Sequence, residues 1–420
     1  MKPDSILLIE EYSENMYPFN VLHCSWEIRC GALRIIDKLK HHYPESKFLF
    51  TGREAHIRSF LARESLSEYQ IERENILIWH STILPNRALL RHIDDLLQKQ
   101  KEENAIEKTL LFSVKGTAFA AYIPGCDMIN PTNFDKEFLP KLLKDFSFAA
   151  EMIEVPEPRI INYLWDAIEY NAESIEDDFE YFQNFADFNE LKKNNVNLIN
   201  KDKIKIGENC KIASTVVLDA SDGVIIIGNN VKIMPQSVIE GPCFIGDNST
   251  VKIGAKIYGK TTIGEHCKIG GEIENSIIHA YSNKQHDGFL GHSYICEWVN
   301  IGADTNTSDL KNTYSNIKVT FPGRTINTGR MFLGLLCGDH TKTAIMTRFT
   351  TGTTVGIAGV LFSDDFLPRY IQSFCYGGKT ESTRYKLEDA LSTARLVMAR
   401  RNKELTDEEE ILIRAEWEKQ

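Results

Sequence analysis

From Ile206 onward the chain repeats itself every six residues, and this repeat limits its fold more than any other feature. Ile206, Ile212, Leu218 and Val224 fall six apart; after a slip of three residues, Ile227, Ile233, Ile239, Ile245, Val251, Ile257, Ile263 and Ile269 do the same. Four residues after each stands a mostly small side chain, such as Ser237, Ser249, Ala255, Thr261 or Cys267, and a glycine often follows directly, as at Gly228, Gly246 and Gly264. Short flat faces need β-branched side chains and tight corners need small ones. The pattern is that of a parallel β-helix whose aliphatic residues stack from coil to coil. It predicts a solenoid over 204–377, interrupted at 271–289 by a polar loop.

The first 191 residues read differently. "ILLI" (6–9), "KFLF" (47–50), "NILIW" (75–79) and "TLLFS" (109–113) are short buried strands. Between them "GALRIIDKLKHHY" (31–43) and "RALLRHIDDLLQKQ" (87–100) carry apolar residues at helical spacing. Such alternation predicts a mostly parallel sheet covered by helices, with ligands bound beyond the carboxyl ends of its strands. An acidic amphipathic helix within 162–182 closes this domain, 192–203 reads as a polar linker, and 378–420 holds two further helices. Thr406 and Glu409 have the spacing of a capping box on the second of these.

Over 420 residues the formal charge is −11, which argues against a nucleic-acid binder because such proteins cluster Lys and Arg. No apolar run approaches the roughly 20 residues that span a bilayer, and "MKPDSILLIEEYSEN" lacks the features of a signal peptide. A cytoplasmic protein is expected. Nine cysteines with no C-x-x-C pair predict reduced, mostly buried thiols rather than disulfides or a zinc knuckle.

Chemistry is expected where the repeat breaks, in "YSNKQHDGFLGHSY" (281–294). His286 lies between Gln285 and Asp287, a suitable setting for a general base near neutral pH. Lys284 and Lys311 can meet a phosphate, and the polar run "VNIGADTNTSDLKN" (299–312) follows one coil later. Solvated loop residues with no such role remain the alternative. His279, His286 and His292 do not have the spacing of a helical zinc pair.

"NKQHDGFLGHSYICEWVNIGADT" resembles the acetyltransferase site of the bifunctional UDP-N-acetylglucosamine pyrophosphorylase/glucosamine-1-phosphate N-acetyltransferase family. Further stretches, "MYPFNVLHCSWEIRCGALRI" (16–35), "NYLWDAIEYNAESIEDD" (162–178) and "VIEGPCFIG" (238–246), resemble a divergent bacterial branch of sugar nucleotidyltransferase-like proteins. The resemblance implies a Rossmann-like α/β domain, then a left-handed β-helix that assembles as a trimer. It implies His286 as the base that deprotonates a sugar amine, Asn300 as the residue that orients substrate, and Gly302 and Ala303 at acetyl-CoA. Lys284, Phe289, Lys311 and Asn312 are the candidate substrate contacts. Phe289 stands where the family has a Tyr, and His292 where it has an Asp.

Transfer of a nucleotidyl group from a nucleoside triphosphate to a sugar 1-phosphate needs Mg²⁺ and groups that hold phosphates. The usual glycine-rich loop after the first strand is replaced by "IEEYSENMYPFN", which has no glycine. Arg29 and Gly31, expected at a helix start, are candidate nucleotide contacts, as are Lys115 and Gly116 at a strand's carboxyl end. An ordinary ion pair of Arg29 with Glu27 is the competing reading. Asp166 is a candidate Mg²⁺ ligand or a helix cap. Three rival functions stay open: a thymidylyltransferase-type enzyme with a purely structural β-helix, a non-catalytic trimeric scaffold that binds a sugar nucleotide, and, given the missing glycine-rich loop, an acyltransferase whose first domain has lost its chemistry.

Overall fold

The computed structural model describes residues 2–10, 14–67, 74–102, 108–126, 150–378 and 382–419. They form two compact units, one of Met1–Glu14, His23–Ile28 and Leu33–Asn162, the other of Asn15–Leu22, Arg29–Ala32 and Tyr163–Gln420.

The first unit contains a six-stranded sheet in the order Lys47–Thr51, Ser5–Ile9, Glu74–His80, Thr117–Cys126, Leu110–Val114, Glu151–Glu154. The first three strands are parallel. Thr117–Cys126 runs against both its neighbours, and Leu110–Val114 is parallel to Glu151–Glu154, so five strands end at the same edge. Ser5–Ile9 is buried along its whole length, as its continuous apolar run requires of a central strand covered on both faces. Leu89, Leu90, Ile93 and Leu97 form the buried stripe of the helix Arg87–Glu102.

The second unit is a parallel β-helix, left-handed as the resemblance implies. Its longest face has nine strands, from Ile204–Ile206 to Tyr370–Ile371. Ile227, Ile245, Ile263, Ile278 and Ile295 pair in register along it and are buried, which is the column that the hexads predict. One corner of the coil takes the left-handed conformation throughout. Asn230 and Asn248, which tolerate it, are followed there by His266, Tyr281, Trp298 and His340 at φ between +58° and +62°. Those rings stack, with Tyr281 and Trp298 only 4.2 Å apart and 9° from parallel. Stacking of this kind offsets the strain of a bulky residue at positive φ.

Several boundaries differ from the expectation. Residues 271–289 do not leave the solenoid: Glu272–Glu274, Ile277–Ile278, Asn283–Lys284 and Phe289–Gly291 are all coil strands. The excursion comes later, as an antiparallel hairpin of Lys318–Phe321 with Arg324–Asn327. The linker is also structured, because Asn197–Ile199 pairs with Val217–Asp219 as the first strand of its face. The helix Leu164–Asp178 belongs to the second unit, where Asn171 binds the carbonyl of Lys260 and the hydroxyl of Thr262. The capping box of Thr406 and Glu409 forms as expected. Arg401, beyond the helix Leu387–Ala399, reaches back to Asn283 at 3.3 Å. All nine cysteines are free thiols, seven of them buried. No helix among the described residues is long and apolar enough to cross a membrane.

Candidate functional site

The polar cluster of the sequence is one coil of the β-helix. Its strand Asn283–Lys284 pairs in parallel with Lys268–Ile269, so Lys284 falls in the inward column directly after Ile269. This lysine is 2% exposed. Its Nζ donates to the carbonyls of Gly270, at 3.3 Å, and His286. Burial pushes its pKa down to about 8, against a smaller opposite pull from Asp287 and Asp304. Lys284 therefore faces the solenoid interior and not a substrate phosphate. Its ammonium instead ties down the backbone of His286, whose imidazole is exposed and makes no hydrogen bond among the described residues.

Asn300 lies in register between Asn283 and Lys342, so three polar residues of successive coils form one outward row. Such rows have a spacing of about 4.8 Å, and Asn283 donates to Asn300 Oδ1 at 3.5 Å. Burial lowers Lys342 to about 8 as well, and its Nζ rests on the His340 carbonyl. Gly302 is fixed by packing: a Cβ there would lie 2.4 Å from the Ala344 carbonyl oxygen. The Ala303 carbonyl accepts from Met346, while its N–H makes no bond among the described residues and stays available to a ligand. Phe289 is half-buried, with its N–H on Asn306 Oδ1. Lys311 turns onto the carbonyl of Asn316 in its own loop, and Asn312 beside it is exposed. The structure thus brings Lys284, His286 and Phe289 into one coil and Asn300, Gly302 and Ala303 into the next, with Lys311 and Asn312 past the second.

Three of the expected nucleotide and metal contacts have other employment. Arg29 is 3% exposed and donates to Ala32 O and Glu265 Oε2, each at 2.6 Å. It does not start a helix, because the helix that follows begins at Ile35. Gly31, at φ +85°, sits so close to Ser174 and Asp178 that a Cβ would fall 2.5 Å from the Asp178 carboxylate. Its N–H donates to Asn171. Gly31 thus anchors the chain against the helix Leu164–Asp178, and Arg29 against the β-helix at Glu265. Asp166 is the helix cap: Oδ2 accepts from the Tyr163 N–H at 3.0 Å, and Oδ1 pairs with Arg330 at 2.8 Å. Among the described residues no group of three His, Cys, Asp or Glu side chains could hold a metal ion, and both carboxylate oxygens of Asp166 are engaged by Tyr163 and Arg330.

Lys115 and Gly116 do occupy the edge where five strands end. They form a tight turn with both φ values positive, and both their N–H groups donate to Glu154, at 3.1 and 2.9 Å. A carboxylate here takes the place that a phosphate oxygen would take in a backbone nest. The same edge carries a charged cluster that local sequence patterns do not reveal. Arg53, just past the strand Lys47–Thr51, forks onto both oxygens of Glu10 at 2.8 and 3.0 Å and also binds the His23 carbonyl. Glu10 accepts the Ser25 N–H as well, and Ser25 meets Ser81 beyond the strand Glu74–His80. Arg63 pairs with Glu27 at 2.6 Å. Burial alone would raise the Glu27 carboxyl, but Arg63, His23 and Arg34 hold it well below the usual carboxylate range. The cluster joins the ends of Lys47–Thr51, Ser5–Ile9 and Glu74–His80 and so flanks the point between the last two where the strand order reverses. Its only trace in the sequence is an arginine two residues after a strand. Glu11 to Ser13, part of the expected phosphate loop, lie outside the described residues.

Residues 6–186 match the sugar nucleotidyl transferase family. The chain is 29% identical over 263 residues to the bifunctional protein GlmU of Wigglesworthia glossinidia brevipalpis, covering 59% of this chain and 50% of that one. It is 35% identical over 98 residues to a bifunctional sugar-1-phosphate nucleotidylyltransferase/acetyltransferase of Sulfurisphaera tokodaii, covering 23% of this chain and 24% of that protein. A putative uncharacterized acetyltransferase of Escherichia coli K12, YaiX, is 30% identical over 156 residues, which are 36% of this chain and 68% of YaiX. The chain therefore joins a stretch that matches a sugar nucleotidyl transferase domain to a region similar to the acetyltransferase YaiX and to GlmU-type bifunctional proteins. It spans half or less of the length of the bifunctional relatives it matches.

Proposed function

We propose that this protein is a transferase of amino-sugar nucleotide synthesis whose β-helix acetylates glucosamine 1-phosphate. The observation that carries this reading is the exposed His286, held by its backbone at a coil corner, one coil from the outward Asn300. The neutral imidazole takes a proton from the sugar amine as its nitrogen attacks the thioester carbonyl of acetyl-CoA. The C–S bond breaks, coenzyme A leaves as the thiol, and an amide remains. Asn300 orients the sugar and the Ala303 N–H faces the thioester oxygen; Phe289 offers an apolar contact, and Asn312 remains a substrate contact. The trimer is part of the proposal, with sites completed between subunits.

The first unit is proposed to transfer the nucleotidyl group from UTP, with Mg²⁺ brought by the triphosphate and with Arg53, Lys115 and Gly116 at the strand ends as phosphate contacts. A second reading, an acyltransferase whose first unit is inert, is favoured by one observation: Arg53 and Arg63 are already neutralised by Glu10 and Glu27. Thiol release from acetyl-CoA in the presence of glucosamine 1-phosphate tests the β-helix reading. His286→Ala is expected to slow it by roughly a hundredfold or more with an unchanged thermal midpoint, since the ring is exposed. Undiminished release in the variant contradicts the assignment.

A further inference from the structure

The corner of the coil beyond Phe289–Gly291 carries a second histidine with a setting unlike that of His286. His292 and Asn275 occupy equivalent corners of adjacent coils, both at positive φ, +42° and +41°. His292 Nδ1 lies 2.8 Å from Asp309 Oδ2, and the ring stacks on Phe332 at 5.0 Å. A carboxylate beside Nδ1 favours the tautomer with its hydrogen on that nitrogen, in which Nε2 is the acceptor. The His292 ring makes no other hydrogen bond among the described residues.

His292, Asn275 and Phe332 line a cavity of about 340 Å³ with Trp165, Arg330 and Met331. Two of its lining residues hold buried polar atoms without a partner, Asn275 Oδ1 and Arg330 Nε. Buried polar groups are rarely left so. Met331 and Phe332 are 44% and 43% exposed, large apolar side chains turned outward at its rim. The charge of Arg330 is taken by Asp166 and Glu169, so the cavity offers no free cation to an anion. Its size is at the small end of the ~300–1,000 Å³ range of ligand pockets, enough for one substituted ring and too little for coenzyme A.

The geometry points to a binding site for an uncharged, polyhydroxylated ring of monosaccharide size, one hydroxyl donating to His292 Nε2 and one ring face packing on Phe332. Hydroxyls donate and accept at once, so one of them can donate to the His292 ring nitrogen that Asp309 does not occupy. This site is separate from the acyl transfer proposed for His286 and does not depend on it.

The test is calorimetric titration of the full chain with N-acetylglucosamine and with methyl glucoside, followed by Trp fluorescence, and with uridine as the competing class of ring. Saturable binding of an uncharged sugar in the millimolar range is expected. His292→Gln and the surface variant Phe332→Ala should each weaken it by about tenfold, a loss of ~1.4 kcal/mol, while His286→Ala leaves it unchanged. Binding of uridine but not of the sugars, binding indifferent to Phe332→Ala and His292→Gln, or no saturable binding overturns the proposal. Loss of acetyl transfer in His286→Ala with sugar binding intact separates the two sites.

Discussion

Lys284→Met provides a quantitative test of how the β-helix tolerates a charge in its apolar column. The lysine follows Ile269 in the inward stack and is 2% exposed, and burial lowers its pKa from 10.5 to about 8. At about 1.36 kcal/mol per unit, the protonated side chain costs the folded state about 3 kcal/mol relative to the neutral one. Below about pH 8 the amine is charged in both folded and unfolded chains, and the cost is constant. Between about 8 and 10.5 the folded chain has lost the proton and the unfolded chain retains it, so the unfolded state binds more protons and stability rises with pH. Methionine removes this dependence and also two hydrogen bonds to carbonyls, each worth about 1 kcal/mol. Near neutral pH the variant is therefore expected to be close to the parent in stability. By about pH 10 the parent should have gained about 3 kcal/mol on it, equivalent to roughly 6–12 °C in thermal midpoint for a unit of this size. The assay is the midpoint of both proteins from pH 7 to 10.5, taken as a difference so that Lys342 and every other shared group cancel. Parallel profiles would mean that the Lys284 amine keeps its ordinary proton affinity and is not confined among the coils.

In the first unit, Arg53→Ala strips the buried Glu10 of its guanidinium, and a loss of about 3–5 kcal/mol is expected; an unchanged thermal midpoint would show that Glu10 is not held as described. Glu27 has a depressed folded pKa, so its pairing with Arg63 adds stability that is full above the unfolded value of about 4.3 and is lost as pH falls below it. Accordingly, the stability gap between the parent and Arg63→Met should narrow on acidification to about pH 3, and a gap that widens contradicts the assignment. Gly302→Ala places a methyl 2.4 Å from the Ala344 carbonyl oxygen, and about 1–3 kcal/mol of destabilisation is expected from the forced coil separation. A thermal midpoint equal to the parent's would mean that the coils are not so tightly stacked.

The solenoid is legible because a column of β-branched residues at a fixed period is compatible with few backbones. The same logic fails at 271–289, where Lys284 replaces an aliphatic residue and polar side chains surround it. A lysine in the column hides a coil that the backbone continues without interruption. The coils also change length there: Ile263 pairs with Ile278 and Ile278 with Ile295, fifteen and seventeen residues on, against eighteen from Ile245 to Ile263. The hairpin of Lys318–Phe321 and Arg324–Asn327 has a visible signal, alternation on both sides of Pro322 and Gly323, but the fading repeat around it conceals the change of structure. Arg29 and Asp166 cannot be placed from sequence. Their partners, Glu265 and Arg330, are 236 and 164 residues away, and no local pattern announces such pairs. The partnership of His292 with Asp309 spans seventeen residues and is apparent only once the coil is known.

Both proposed transfers meet in a single incubation of the purified chain with glucosamine 1-phosphate, acetyl-CoA, UTP and Mg²⁺, read as product masses beside His286→Ala. The mass of UDP-N-acetylglucosamine is expected from the parent, and no acetylated product from the variant. Acetylated sugar phosphate in equal amount from both proteins, or no new mass from either, would contradict a β-helix acetyltransferase that works through His286.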